Sequence, residues 1–393
     1  MKPRLYTLPF LLISTANLFN VASFGFFYIF PLFITSCHGT KSDIGIIMGA
    51  TAFSSVFCRP WISEMVDRLG RKKSYTIGCI IMTILPVFYL FFHGDIKSIY
   101  MPLIIIRLVY GVGLAICFTA VFTYIADITP KERLNEGIGM FGATGLLGLA
   151  IGPVLAEIIV KNWGFNLFFT GASIIAGIGF VLEIFLPESY SAKQKILNEI
   201  SFLSLLRVKK IFLISLIALC FGIGLAATGN FVSPFMQQRG INFISAYYIS
   251  YSSAAILTRL LGGRLADTLG EEKIIPYGLI IFAFGLIIII FAKNELLLCT
   301  SGLISGCGHG LLFPCLNSLI IKDKSISIRG KLTGLFTGSI DTGGFMGSII
   351  LGYIGDLFGF KILFFSSALI ILPWFIVFKV SYKYQCGSKE ICL

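Results

Sequence analysis

Charge is scarce in this chain. Of 393 residues only 13% are Asp, Glu, Lys or Arg, against roughly 25% in a soluble globular chain. With 56% of the residues hydrophobic, a water-soluble fold is excluded, because no soluble core would hold them. Histidine is nearly missing, with three copies. The ten cysteines lie mostly inside apolar runs and lack the paired spacing of a zinc site. Cys386 and Cys392 in the tail are a possible pair, with the reduced state expected. There is no G-x-x-x-x-G-K-[ST] loop, no dinucleotide fingerprint and no nucleophile elbow. Energy from ATP within the chain, a bound metal, a cofactor and an enzymatic role are therefore not expected. A net charge of +12 invites a nucleic-acid reading. The cations sit in short connections between apolar runs, not on one surface, and that argues against it.

What is present is length of apolar sequence, with a mean hydropathy of +0.90. A membrane-spanning helix needs about 20 largely apolar residues. Twelve segments qualify, at 8–35, 43–63, 74–92, 98–126, 137–160, 165–187, 210–236, 243–266, 274–292, 296–321, 330–354 and 361–380. The first is too long for a signal-peptide core and lacks a small-residue cleavage site, so it is expected to be retained. The longest connection, 188–209, divides the twelve into six-helix units at 1–187 and 210–393. Counting Lys and Arg by side gives 22 with the two termini, 6 on the opposite side and Arg59, Arg107 and Arg259 within spans. By the positive-inside rule both termini are cytoplasmic. The expected fold class is an all-α membrane protein of twelve transmembrane helices in two pseudo-symmetric halves.

The halves echo each other. RPWISEMVDRLGRKK, from Arg59 to Lys73, is matched 200 residues later by RLLGGRLADTLGEEK, so that Arg59, Asp67 and Gly70 correspond to Arg259, Asp267 and Gly270. Farther along the offset is 195, as in Gly139–Phe141 against Gly334–Phe336 and Gly164-Phe165 against Gly359-Phe360. Internal repeats of this size, in two halves of the same orientation, are the architecture of a secondary transporter.

Ionisable residues at membrane depth are functional candidates. Asp341 lies about 16 Å into the eleventh span at 1.5 Å per residue, near the midplane. An isolated carboxylate there is favoured in its neutral form, which suits a carrier of one proton per cycle; the bland alternative is a neutral Asp that packs the halves. His309, mid-way along the tenth span, is a second proton-coupling or substrate candidate, or else a satisfied core histidine. Arg107 in the fourth span is a third, for coupling or gating. Arg59 and Arg259 either snorkel to the interface or form a paired gate contact. In the fifth span Gly148, Gly152 and Pro153 suit close helix approach and a bend. Glu157 and Glu183 fall nearer span ends, where exposure is expected.

These motifs together resemble the major facilitator superfamily over nearly the whole chain, and within it bacterial drug or metabolite:proton antiporters. Its loop between spans two and three, G-x-x-x-D-R-x-G-R-[RK]-[RK], is similar to Ser63-x-x-x-Asp67-Arg68-x-Gly70-Arg71-Lys72-Lys73, with serine for the leading glycine. The second copy keeps Asp267 and Gly270 but reverses charge at Glu271 and Glu272. The stretch up to Gly152-Pro153 resembles the antiporter signature g-x-x-x-G-P-x-x-G-G without its terminal glycine pair. Arg107 with Gly111 resembles the R-x-x-x-G motif of the fourth span. The resemblance implies a cytoplasmic latch, in which Asp67 faces the positive N-terminus of the eleventh helix near Gly330 and Arg71 pairs with Asp127. The first copy is then the main latch and the second a weaker partner. It also implies a cavity lined by spans one, four, seven and ten, with Asn17, Asn20, Tyr28, Arg107, Tyr124, Asn230, His309 and Asn317 as candidates, and spans three, nine and twelve facing lipid. The function implied is export of a small organic molecule in exchange for protons, by a monomer in the bacterial cytoplasmic membrane. Uptake by symport, facilitated diffusion and a transporter-like sensor remain as alternatives.

Overall fold

The computed structural model describes residues 4–130, 133–189, 202–322, 324 and 326–387. These residues are almost wholly helical. The elements are α1 (Leu8–Phe26), α2 (Pro31–Ser36), α3 (Lys41–Leu69), α4 (Arg71–Phe88), α5 (Ile96–Ile128), α6 (Leu134–Ile184), α7 (Phe202–Leu205), α8 (Lys209–Gln238), α9 (Ala246–Leu269), α10 (Glu271–Ile288), α11 (Glu295–Ile321), α12 (Ile326–Ile371) and α13 (Pro373–Gly387). Eight helices are long and apolar enough to cross a membrane by composition, and three adjustments connect that number to twelve spans. The 51 residues of α6 would run about 75 Å as one rod, more than twice a bilayer core. The helix turns back at Gly164, where φ is 80°. The long α12 turns back in the same way at Gly359, where φ is 81°. The third adjustment is α3 and α9, whose 29 and 24 residues are long enough to cross as well. α1 and α2 form one span. Glycine is needed at both reversals because a Cβ is disfavoured at positive φ.

The twelve spans place the charged loops around Arg71, Asp127 and Glu271 on one face, with the start of α1 and the end of α13; this is the terminal face, and the opposite one is the far face. Helix starts are capped locally. Thr40 and Asp43 form a reciprocal capping box at α3, and Asp95 and Asn294 cap α5 and α11. The segment 190–201, most of the expected linker, lies outside the described residues, as does Cys392. The eight cysteines whose state is described are free thiols.

The repeat extends to individual contacts. A Cβ on Gly111 would meet the Thr51 carbonyl oxygen at 2.2 Å, and one on Gly306 the Tyr251 carbonyl oxygen at 2.1 Å. One on Gly78 would meet Cys117, and one on Gly278 would meet Leu312. Gly148 and Gly152 bring α6 against Leu18 and Ala22 of α1, just as Gly343 and Gly347 bring α12 against Leu219 and Ile223 of α8. The glycines of the fifth span are thus packing contacts inside one half, duplicated in the other. α6 stays helical through Pro153, and its one position with non-helical angles is Gly164. The lipid-facing expectation for the third span agrees with the exposed Ile77, Ile80, Ile84 and Phe88 of α4.

Candidate functional site at the interface of the halves

The two halves meet along α3 with α12 and along α6 with α9. α3 and α12 run antiparallel in one register. At the far face the α3 backbone touches α12 directly, with a Cβ on Gly45 falling 2.2 Å from the Ser348 carbonyl oxygen. Toward the terminal face the same measure grows. It is 3.3 Å from Gly49 to Ser348, 3.8 Å from Gly344 to Ala52 and 4.0 Å from Gly338 to Arg59, and nothing lies within 4 Å of Gly330. The helices therefore splay apart toward the terminal face. Gly139 of α6 likewise meets nothing within 4 Å.

The far face is closed by a matched pair of carboxylates that sequence reasoning missed. Asp356, near the end of the eleventh span, accepts from the backbone N–H of Lys41 and of Ser42, both at 2.8 Å. Glu157 of α6 accepts from Ile244 N at 2.9 Å and Ser245 N at 2.6 Å. Each carboxylate sits at the N-terminus of a long helix of the opposite half, α3 or α9, where the helix dipole and unpaired N–H groups favour an anion. Lys161 pairs with Glu157 at 2.7 Å and also donates to the Asn242 carbonyl. Ser245 Oγ donates to the Pro153 carbonyl at 2.8 Å. Tyr28, a cavity candidate, instead packs its ring at a tilt against Tyr248 with centroids 5.1 Å apart, and its carbonyl accepts from Ser233. Glu157 is 2% exposed and Glu183 0%, so neither is the solvated end-of-span residue expected. Glu183 accepts from Thr76 Oγ1 at 2.7 Å inside the first half. The signal for the lock was present as one carboxylate beyond each glycine pair, in the fifth and eleventh spans.

Midway between the faces, Arg59 bridges the halves. Its Nη1 donates to Thr337 Oγ1 at 3.0 Å and its Nη2 forms an ion pair with Asp341 Oδ2. The same carboxylate oxygen accepts from Ser55 Oγ at 3.2 Å. Asp341 is therefore not isolated, and Arg59 does not snorkel. Both are drawn in because leaving either charge alone at this depth costs more than pairing them. Arg259, the repeat counterpart, meets an imidazole instead. Its Nη2 lies 3.2 Å from His309 Nε2, whose Nδ1 lies 2.5 Å from Tyr251 Oη.

The terminal-face loops are clamped within each half. Arg71 Nε lies 3.0 Å from Asp127, and Nη1 lies 3.2 Å from Asp67. Asp67 is 69% exposed on its side chain and does not reach α12, because the register that would bring it to Gly330 has splayed open. The N-terminus of α4 is capped by Glu188, which accepts from Arg71 N at 2.9 Å and Lys72 N at 3.2 Å. Gly70 needs its φ of 97° and leaves room for Glu188. Arg68 pairs with Glu64 on its own helix. In the second half Gly270 takes φ 88°, and Lys322 pairs with Glu271 at 2.9 Å and Glu272 at 3.1 Å. Hydrogen bonds to Glu271 and then Glu272 hold the Lys322 ammonium above the ordinary lysine pKa. With offsets of 200 and 195, Glu271 matches Arg71 and Lys322 matches Asp127. The second loop is the same clamp with its charges exchanged, not a weaker partner. The side chain of Asp267 lies outside the described residues.

The remaining candidates scatter. Asn17 donates to Thr144 Oγ1 at 3.2 Å, and Asn20 donates to Tyr75 Oη at 2.7 Å. Both line a small recess in the first half with Leu114, Cys117 and Phe118. Tyr124 is spent on the Pro187 carbonyl at 2.9 Å. Asn230 donates to Ser348 Oγ at 2.7 Å. Asn317 Oδ1 has no partner among the described residues. Arg107 is enclosed inside its own half, 4.7 Å from the Phe27 ring and 4.6 Å from Phe30, with Met48 Sδ against Nη2. Aromatic faces stabilise such a cation, so Arg107 does not line the interface.

Comparison with known sequences decides the family. The sequence model described as Major Facilitator Superfamily matches residues 11–257 and, in a second stretch, 247–385. The chain belongs to the Major Facilitator Superfamily. It is 28% identical to "Multidrug resistance protein 2" of Bacillus subtilis, over 84% of this chain and 83% of that protein. It is 22% identical to "Staphylopine export protein" of Staphylococcus aureus, over 94% and 93%. Among solved structures, the nucleoside transporter NupG superposes with a TM-score of 0.74 at 15% identity, covering 96% of this chain and 100% of that one. At that identity the likeness carries the fold alone. Membership in the superfamily makes the chain an integral, multi-pass transport protein, and its sequence relatives include multidrug and export proteins.

Proposed function

We propose that this chain is a secondary transporter that exports a small organic molecule in exchange for protons by alternating access. The observation that carries the reading is the Arg59–Asp341 pair, a carboxylate at membrane depth that joins the two halves through one ion pair. Protonating Asp341 removes its charge and releases Arg59, so proton binding and helix separation are one event. The multidrug and export names of the relatives support the outward direction. Lysine and arginine bias assigns the terminal face to the cytoplasm, so the structure corresponds to a state open inward and locked outward. The six-helix units 1–187 and 210–393 then rock against each other as bodies. A single chain suffices, in the bacterial cytoplasmic membrane, and the proton gradient supplies the energy without a cofactor or a chemical step on the substrate.

Metabolite profiling of a deletion strain tests the direction. Intracellular build-up of one compound, and its loss from the medium, is expected; depletion inside the cell would mean uptake. Flux of that compound in proteoliposomes under an imposed pH gradient then tests the coupling, and flux indifferent to the gradient would contradict proton exchange.

A further inference from the structure

Arg259 is a charge at the interface of the halves that no carboxylate among the described residues neutralises. None of the ion pairs among the described residues includes it. Its Nε is buried without a hydrogen-bond partner among the described residues. Its guanidinium lies 5.1 Å from the centre of the Phe313 ring, and Nη1 would be 3.3 Å from a Cβ on Gly142, across the interface on α6. The matching arginine of the first half is neutralised by Asp341 of α12. The repeat offset of 195 places Leu146 where a carboxylate would have to stand for Arg259. Arg107 also lacks a carboxylate among the described residues, but it is walled in by aromatic rings of its own half. Arg259 is not.

Hydrogen-bond bookkeeping fixes the rest. A guanidinium only donates, so His309 Nε2 must accept from Arg259. The neutral imidazole then carries its proton on Nδ1 and donates it to Tyr251 Oη, an assignment made from the network. The Tyr251 hydroxyl proton is left without an acceptor among the described residues. Arg259 and Tyr251 thus offer unspent donors at one place, beside the aromatic rings of Phe221 and Phe313 that flank His309.

We infer that Arg259 is a binding residue for an anionic group of the transported molecule, held in place by His309 and Tyr251. The chemistry fits a monocarboxylate on an aromatic or aliphatic body. One guanidinium matches one carboxylate bidentately, and the surrounding rings take the apolar part. The inference rests on the transport reading above and names its substrate class.

The test is equilibrium binding to the full chain in nanodiscs, with 2-naphthoate and its isosteric amide, 2-naphthamide, as probes. A charged hydrogen bond lost to the neutral probe predicts that the acid binds at least about ten-fold tighter than the amide. Arg259→Gln should erase that preference, with the acid losing at least about ten-fold in affinity. Arg259→Lys, a point charge without the planar fork, should keep part of it. Equal affinity of the wild-type chain for acid and amide overturns the inference without any variant. So does a preference that survives in Arg259→Gln. Binding is read without flux, so a failure here leaves pH-driven exchange standing, and a failure of exchange leaves the binding preference standing.

Discussion

Arg59 and Arg259 stand 200 residues apart at matching places in the two halves, and they meet different partners. Arg59 crosses to a carboxylate on α12, whereas Arg259 stays with His309 in its own half. The terminal-face clamps show the opposite behaviour. Arg71–Asp127 and Glu271–Lys322 exchange charges and keep the same contact. Scaffold contacts are therefore repeated, even when every charge is inverted, because packing a helix start against a neighbouring helix end needs only opposite signs. The symmetry breaks where Asp341 has Leu146 as its counterpart, and that break is where coupling and substrate recognition are proposed.

The largest expected effect comes from removing the broken symmetry. Asp341→Asn should reduce pH-driven flux to background in proteoliposomes while leaving substrate binding, and flux equal to wild type would remove Asp341 from the mechanism. Arg59→Leu should be costlier to the fold. It leaves Asp341 without its cation, a loss of about 3 kcal/mol, and that cost should vanish in Arg59→Leu combined with Asp341→Leu. Thermal unfolding in detergent, read as a double-mutant cycle, checks this.

The far-face lock comes next in size. Glu157→Gln puts an amide N–H against one of two buried backbone donors and should cost the closed state about 2 kcal/mol. Asp356→Asn, at a more exposed site, should cost about 1 kcal/mol. Distances between spin labels across the far face should lengthen in that order. Unequal halves, with only one variant opening, would show that the lock is not the matched pair described.

The smallest effect concerns the clamps. Arg71→Glu or Asp127→Lys alone should cost about 1 kcal/mol. The two together should recover at least half of it, since the second half already uses that polarity. No recovery would mean that the two loops are not equivalent. The hydrogen bond from Arg71 to the Val66 carbonyl sets the limit on how complete recovery can be.

Much of this was legible in the sequence. Twelve spans followed from apolar length and loop charge, and the pairing of Arg71 with Asp127 from the loop motif. What sequence could not supply was the partner of any residue acting across the interface. Asp341 and Arg59 were both visible as charges at depth, but they lie 282 positions apart, and only the antiparallel register of α3 with α12 brings them together. Glu157 and Asp356 were hidden for a different reason. A carboxylate near the end of a span ordinarily reaches water, and nothing in its neighbours says that a helix N-terminus of the other half will cover it. Asp67 was misplaced because its contact depends on conformation, and the helices have splayed where it would form.

The most direct measurement is the distance between spin labels at Leu69 of α3 and Gly330 of α12, both exposed at the terminal face, as pH is lowered. If Asp341 protonation releases Arg59, the wild-type distribution shifts on acidification. Asp341→Asn then holds the acid distribution at every pH. A pH response in Asp341→Asn identical to that of the wild type would contradict the claim that this ion pair couples protons to the motion of the halves.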